Sequence, residues 1–225
     1  PDMYEYLYQR LAEDNSDLAA CGVQMVWEDK TPSRMLTQEG NCVLNQEEAM
    51  RAIIEESWLK QPVWYKLYKT ALVRDILFPV EKYHEDVFWS YQAVGSAKKV
   101  SGSDHVGYYY LQRGGSIMGA GYSLKRLDAV EAKVQRCAYI QERFPALSPL
   151  AIKDLWFTCI YQGQSALRAL NKAEAEKILT YFENLVETHP FQMEGCSLKE
   201  RIWLNMAKSS LAVACRIRNA LKIGL

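Results

Sequence analysis

The first part of the chain alternates between patterns typical of helices and patterns typical of strands. Apolar residues recur from Tyr4 to Leu11 at the three- and four-residue spacing of one helix face, which predicts a helix over 2–14. Residues 17–28 alternate apolar and polar side chains most clearly near their end, which predicts a strand. The polar segment 29–44 is expected to be a loop.

Capping residues and side-chain spacing predict the next elements. Asn45 is a favourable N-cap residue, and Glu48 three positions later completes the pattern of a capping box that opens a helix reaching about Trp58. Three further elements follow from hydrophobic spacing: a helix over 64–73 in which Trp64, Leu67, Tyr68 and Leu72 share one face, a helix over 87–94, and an extended segment over 98–111.

Beyond residue 122 the pattern is helical throughout. Helices are predicted to start at Ser123, at Ser148-Pro149, at Asn171 with Glu174 and at the capping box Ser197-x-x-Glu200, and to end near Arg143, Leu170, His189 and Leu221. We therefore predict an α/β part over 1–122 and a helical region over 123–225. The first part shows only two or three strands, about half of what a free-standing α/β domain needs.

Charge and cysteine usage narrow the choice of partners and compartment. The 27 basic and 27 acidic residues balance, which argues against nucleic acid as a partner. Six scattered cysteines form no Cys-x-x-Cys pair and have no histidine at metal-ligand spacing, so we expect free thiols, no metal site and a cytoplasmic protein. No window reaches the ~18 apolar residues of a membrane span.

Three short motifs follow one another in the middle third of the chain. They are Trp64-x-Lys66, the acidic pair Glu85-Asp86 directly after His84, and Tyr110-x-x-Arg113-x-x-Ser116. Their order and spacing resemble the acceptor half of inverting family 2 glycosyltransferases, which have the GT-A fold. The resemblance extends over residues 1–118. It implies an α-rich α/β protein with a partial GT-A-type mixed sheet and flanking helices, followed by a C-terminal helical bundle.

The acidic pair is the candidate catalytic element. An inverting glycosyl transfer needs a base that takes the proton of the acceptor hydroxyl while its oxygen attacks the anomeric carbon. The resemblance implies that Asp86 is this base and that Glu85 orients the site or contacts acceptor hydroxyls. A helix dipole would also stabilise two carboxylates in a first turn, so a solvated pair that only caps the helix is the alternative. His84 either touches the acceptor or makes a local hydrogen bond.

The resemblance also implies substrate contacts upstream of the pair. Trp64 would stack on a sugar ring, with core packing as the alternative. Lys66 would contact a donor phosphate or an acceptor group, with an ordinary surface charge as the alternative. Tyr65 stands where the family usually has Asn, so any role of that amide is absent here.

A third set of contacts is implied downstream of the pair. Arg113 would grip the diphosphate through paired hydrogen bonds. Tyr110 and Ser116 lie in the same segment and are predicted to bind substrate, unless the segment is an ordinary glycine-rich turn. Leu111 replaces one of the two arginines of the family's pattern, which leaves Arg113 as the single candidate.

The opening residues bear on donor binding. Pro1 to Leu7 resembles the helix that follows the Asp-x-Asp metal motif of the family, which implies that Mn²⁺ or Mg²⁺ and the nucleotide-sugar are bound by residues before Pro1. We therefore expect this chain by itself to be inactive. The full-length protein would be a bacterial-type hexosyltransferase acting on a glycan or lipid-linked acceptor in polysaccharide biosynthesis. A non-enzymatic helical protein-interaction module is the alternative.

The last predicted helix carries several basic residues. They are Arg201, Lys208, Arg216, Arg218 and Lys222, interspersed with Leu, Val and Ala. This composition favours two alternatives, packing within a helical bundle or peripheral contact with the inner face of a membrane.

Overall fold

The computed structural model describes residues 2–29, 31–112 and 122–224. The chain divides into two compact units, residues 1–120 and residues 121–225. The first unit contains a mixed sheet with flanking helices, and the described part of the second unit is helical. The chain is therefore an α-rich α/β protein, which confirms the predicted class at this level.

The sheet of the first unit has a parallel pair at its centre. Its strands are β1 (Leu18–Trp27), β2 (Arg34–Met35), β3 (Asn41–Asn45), β4 (Lys66–Tyr68) and β5 (Lys99–Gln112). β1 runs parallel to β5, and β3 pairs antiparallel with the far edge of β5. The other edge of β1 is shared, because β4 pairs with its beginning and β2 with its end, both antiparallel.

Gly22 permits the close contact between the two central strands. The register between β1 and β5 shifts on both sides of Gly22, which marks a bulge. A Cβ atom at this position would collide with the backbone carbonyl group of Asp104. Glycine is therefore required here by space rather than by backbone conformation.

Helices cover the sheet and complete the core of the first unit. They are α1 (Met3–Glu13), α2 (Gln46–Glu55), the single turn α3 (Thr70–Val73) and α4 (Glu85–Ser96). α1 contacts β1 and β5, and α2 contacts α4. Leu7, Met50 and Ile53 are fully buried among these elements. The predicted capping box at the start of α2 is confirmed, since Asn45 and Glu48 exchange both hydrogen bonds.

Two predictions about the first unit are wrong. The segment predicted as a loop contains β2 and β3, whose alternating polar residues give little hydrophobic signal. The predicted helix over 64–73 is strand β4 followed by α3. The backbone N–H of Cys21 donates to the carbonyl oxygen of Tyr65 at 3.1 Å, and β4 continues this pairing along β1. Sheet hydrogen bonds have overridden a helical side-chain spacing.

The described residues of the second unit form helices connected by short turns. The helices are α5 (Asp128–Arg143), α6 (Ser148–Ala169), α7 (Lys172–Thr188), α8 (Leu198–Ser209) and α9 (Leu211–Ala220), with 3-10 turns at Leu124–Leu127 and Pro145–Leu147. α6 contacts α5, α7, α8 and α9 and so forms the centre of the unit. No helix among the described residues is both long enough and apolar enough to cross a lipid bilayer.

Some of the helix caps predicted in the second unit are present and others are not. Asn171 and Ser197 accept hydrogen bonds from the backbone as predicted. Ser123 makes no capping hydrogen bond, and Ser148 is the first residue of α6 rather than its N-cap. The predicted helix over 197–221 is interrupted at Ser210, whose side chain accepts from the backbone N–H of Val213 and starts α9.

Candidate active site

The acidic pair occupies the first turn of α4. His84 precedes the helix in the left-handed conformation, with φ of 58°, so the chain turns sharply at the entry to the helix. Such a conformation is unfavourable for a residue with a side chain, and it occurs frequently at functional sites. Glu85 is exposed, whereas Asp86 is partly buried. The helix dipole favours the anionic form of both carboxylates.

Hydrogen bonds and ring stacking fix the start of α4 against the preceding segment. The Ser90 hydroxyl donates to the carbonyl oxygen of Gln61 at 2.6 Å. The Trp89 indole N–H donates to the carbonyl oxygen of Ile76 at 2.9 Å. The Trp89 ring also stacks on Phe78, with ring centroids 5.0 Å apart and an interplanar angle of 6°. Asp86 is therefore held on a rigid element, as a catalytic group requires.

Lys66 lies beside this turn, but its amine is turned inward. Its residue exposure is 4%, and its Nζ donates to the carbonyl oxygens of Lys60 and Pro62, the latter at 2.7 Å. Burial lowers the pKa of Lys66 to about 7, and the negative charges of Asp86 and Glu56 oppose this shift. The predicted contact of Lys66 with a substrate is therefore not supported by its orientation. Its connection to the acidic pair is electrostatic.

The environment of Asp86 raises its pKa above the ordinary value of an aspartate. Burial is the largest cause, and the neighbouring charge of Glu85 adds to it. The backbone N–H of Val87, His84 and Lys66 act in the opposite direction. A carboxylate with a raised pKa is a stronger base, so its affinity for a proton at neutral pH is greater than that of a solvated aspartate.

Tyr68 is a residue of this site that the sequence analysis did not single out. Side chains two positions apart lie on the same face of a strand, so Tyr68 and Lys66 share one face of β4. Tyr68 packs edge-on against Trp89, with ring centroids 5.1 Å apart. Its hydroxyl oxygen is buried and has no hydrogen-bond partner among the residues that the structure describes. Burial raises its pKa, with Tyr65 and Asp86 contributing in the same direction.

An aromatic cluster forms between the segment before β4 and the end of β5. Trp64 stacks on Tyr108 with ring centroids 4.2 Å apart, and it lies 5.3 Å from the ring of Tyr110 at a tilt of 44°. The structure thus brings together Trp64 and Tyr110, two residues predicted from separate motifs. Arg113 and Ser116 lie outside the described residues.

The described residues do not form a binding site for the metal ion that the resemblance implies. Across 2–29, 31–112 and 122–224, no three His, Cys, Asp or Glu side chains come together in an arrangement that could hold a metal ion. Glu85 and Asp86 are thus a carboxylate pair with no third ligand of these types in the described chain. We assign no chemical step to a metal ion held by these residues.

The second unit contains a cleft that is distinct in its residues from this site. Its volume is about 500 Å³. None of the candidate catalytic or substrate-binding residues predicted from the sequence lines it. Its walls come from α6, the end of α7, the residues that follow α7, and the junction of α8 and α9, and they include Trp156, Glu183, Glu187, Phe191, Lys208 and Ser210.

Comparison with protein-family models gives no match, and a search of curated proteins gives none either. The class of the protein therefore rests on its own fold and side chains. These define an α-rich α/β protein in which a helix presents a partly buried carboxylate beside a buried lysine and a buried tyrosine hydroxyl that is unpaired among the described residues.

Proposed function

We propose that this chain supplies the acceptor side of an inverting family 2 glycosyltransferase with the GT-A fold. The observation that carries the proposal is the position of Asp86, which lies in the first turn of α4 with a pKa raised by burial and by Glu85. The mixed sheet with a central parallel pair supports the same proposal. The motif order that resembles the family supplies the reaction class.

In the proposed step, Asp86 accepts the proton of an acceptor hydroxyl. The hydroxyl oxygen forms a bond to the anomeric carbon of the sugar from the side opposite the leaving group. The bond from that carbon to the nucleoside diphosphate breaks, and the diphosphate leaves with the electron pair. One proton moves to Asp86 and the configuration at the anomeric carbon inverts.

Other side chains of the site would bind and orient the acceptor. The unpaired hydroxyl of Tyr68 would form a hydrogen bond with an acceptor group, which would remove the cost of leaving it buried and unsatisfied. Trp64 and Tyr110 would provide the aromatic surface on which a sugar ring can pack. Glu85 and His84 are proposed as nearby polar contacts.

Donor binding is proposed to require residues outside this sequence. Arg113 remains the proposed ligand of the diphosphate, and Ser116 remains a proposed substrate contact. We expect the nucleotide-sugar and its Mn²⁺ or Mg²⁺ ion to be bound chiefly by the Asp-x-Asp element that the resemblance implies. Calorimetry of this chain with UDP-sugars and Mn²⁺ should therefore show no micromolar binding. Micromolar binding would mean that these residues form a donor site by themselves.

Substitution of Asp86 tests the proposed base. Asp86→Asn, made in the polypeptide encoded by the whole reading frame, should lower transfer on the order of 100-fold to 10,000-fold, because a general base contributes that much. Donor affinity should change little. Asp75→Asn is the matched control, since Asp75 is an exposed aspartate ahead of α4, and it should leave transfer unchanged.

Two results would contradict this proposal. Full activity of Asp86→Asn would remove Asp86 from the mechanism. Absence of transfer by the wild-type polypeptide with every nucleotide-sugar donor tested, together with binding of a protein partner, would favour the interaction module instead.

A further inference from the structure

The positive charge of this neutral chain is concentrated at its end. Residues 197–224 hold six Lys or Arg and one Asp or Glu, whereas the whole chain holds 27 of each kind. The single acid, Glu200, is already engaged, because its carboxylate accepts from Lys153 at 2.9 Å and from the backbone N–H of Ser197 at 2.7 Å. The helices α8 and α9 therefore carry an excess of basic side chains, although Glu183 and Glu187 of α7 line the same cleft as Lys208.

These two helices fold back on each other as a hairpin. They meet at Ser210, which ends α8 and caps α9. The guanidinium carbon of Arg218 lies 5.0 Å from the ring centroid of Trp203, which requires the two helices to run side by side. The first turn of α8 and the last turn of α9 consequently lie at the same end of the hairpin.

That end carries a group of exposed aliphatic side chains. Leu198 and Ile202 are 76% and 51% exposed on α8, and Ile217 and Leu221 are 37% and 61% exposed at the end of α9. The opposite faces of the same helices are buried in the core of the unit, through residues such as Leu204 and Ala214. We call the four exposed residues and the exposed basic residues beside them the hairpin patch. The basic residues are Lys199, Arg201, Arg216 and Lys222.

We propose that the hairpin patch binds the surface of an anionic lipid bilayer. Aliphatic side chains can enter the boundary between headgroups and acyl chains, while the surrounding Lys and Arg side chains contact anionic headgroups. A basic rim around aliphatic residues fits this partner better than a neutral protein surface. Since no described helix could cross a bilayer, the hairpin would lie on the membrane rather than span it. The proposal does not depend on the proposed glycosyl transfer.

Vesicle sedimentation tests the charge contribution. The wild-type chain should sediment with vesicles of phosphatidylcholine and phosphatidylglycerol, but not with pure phosphatidylcholine, and raising the salt concentration should weaken binding. Arg216→Gln with Lys222→Gln should lower the affinity about 25-fold, or about fivefold for each neutralised residue. Lys172→Gln with Lys177→Gln removes the same charge from the exposed face of α7 and is the matched control, with affinity unchanged.

A second pair of variants tests the aliphatic contribution. Leu198→Ser with Leu221→Ser should abolish the binding that persists at high salt. Leu124→Ser, at a residue that is 61% exposed outside the hairpin, is the control and should bind as the wild type does. Circular dichroism should show that every variant is folded, because all substituted side chains are exposed.

Three outcomes would overturn the proposal. The first is equal sedimentation with neutral and anionic vesicles. The second is an equal loss of binding in the hairpin variants and in their controls. The third is a wild-type dimer that does not bind vesicles and that the Leu198 and Leu221 substitutions dissociate, which would make the patch a contact between two copies of the chain.

Discussion

The pKa of Asp86 depends on a neighbour that can be changed without disturbing packing. Glu85 is exposed, and its negative charge adds to the effect of burial on Asp86. Glu85→Gln should therefore lower the pKa of Asp86 toward its ordinary value, because a like charge is removed. NMR titration of the side-chain carboxyl carbon of Asp86 in this chain measures this pKa. Glu5→Gln, at an exposed position on α1, is the control and should leave the pKa unchanged.

The same substitution has a consequence for the pH dependence of transfer. Asp86 can act as a base only when it is deprotonated, so activity should fall as the pH drops below its pKa. Since Glu85→Gln lowers that pKa, the acidic limb of kcat/KM should move to lower pH. A limb that moves to higher pH, or a pKa that rises, would contradict the electrostatic account of the acidic pair.

Tyr65 and Tyr68 form a matched pair of buried hydroxyls within one short segment. The Tyr65 hydroxyl accepts from the backbone N–H of Lys60 at 2.6 Å, whereas the Tyr68 hydroxyl has no hydrogen-bond partner in the described part of the chain. Tyr65→Phe should lower the free energy of unfolding by about 1–2 kcal/mol, while Tyr68→Phe should leave it unchanged or raise it by about 1 kcal/mol. Urea denaturation measures both.

The two substitutions should differ in their effect on activity as well, and here Tyr68→Phe is the harmful one. If the Tyr68 hydroxyl binds the acceptor, Tyr68→Phe should lower kcat/KM about tenfold, the effect of one hydrogen bond of ~1.4 kcal/mol. A folded protein that is more stable yet less active would identify a group retained for function. Destabilisation of both variants to the same extent would instead show that Tyr68 has a structural partner.

The helix caps of the second unit can be tested individually by their contribution to stability. Asn171 and Ser197 accept backbone hydrogen bonds, but Ser123 does not. Asn171→Ala and Ser197→Ala should each lower the free energy of unfolding by about 1 kcal/mol. Ser123→Ala should change it by less than ~0.5 kcal/mol, as is usual for a surface substitution. A large loss from Ser123→Ala would contradict the absence of a cap there.

Elements with local causes were predictable from the sequence. α1, α2 and α7 follow from side-chain spacing and capping within a few residues, and β1 and β5 follow from alternation and β-forming composition. β4 was not predictable in this way, because its conformation depends on pairing with β1 more than forty residues earlier in the chain. The apolar spacing of 64–73 fits a helix equally well, so only the tertiary partner decides.

The candidate site was predictable to a similar extent. The order of the motifs singled out Asp86, whose role stays a prediction, and it named Trp64 and Tyr110, whose rings the structure brings within 5.3 Å of each other. The inward orientation of Lys66 was not predictable, since it depends on the carbonyl groups of the 60–62 turn. Tyr68 was missed because its significance lies in a missing hydrogen bond, and because its strand was interpreted as a helix.

The reactivity of the six cysteines shows whether the molecule as a whole is folded. All six are free thiols, and five are buried. Burial raises the pKa of Cys42 and Cys137 to about 11 and that of Cys215 to about 12, so little reactive thiolate is present at neutral pH. Iodoacetamide at pH 7 should therefore leave the native chain almost unmodified. In denaturant, mass spectrometry should detect six alkylated cysteines.

Alkaline pH should destabilise the protein by deprotonating the same thiols. A thiol whose pKa is raised by folding stabilises the native state below its unfolded pKa of about 9, and this contribution is lost as the pH rises through the folded value. The free energy of unfolding should therefore fall between pH 9 and pH 11 or 12. Rapid alkylation of the native chain at pH 7 would contradict the burial of these thiols.

The parallel contact between β1 and β5 has a consequence for the order of folding. Leu18 pairs with Val100, so the central contact of the sheet joins segments that are synthesised far apart in time. Until β5 leaves the ribosome, the buried side chains of β1 have no parallel partner, and such non-local pairing is slow compared with helix formation. Of the two units, the one formed by residues 1–120 is thus expected to be the slower to fold, and it would be most prone to aggregation on the ribosome before residue 112 emerges.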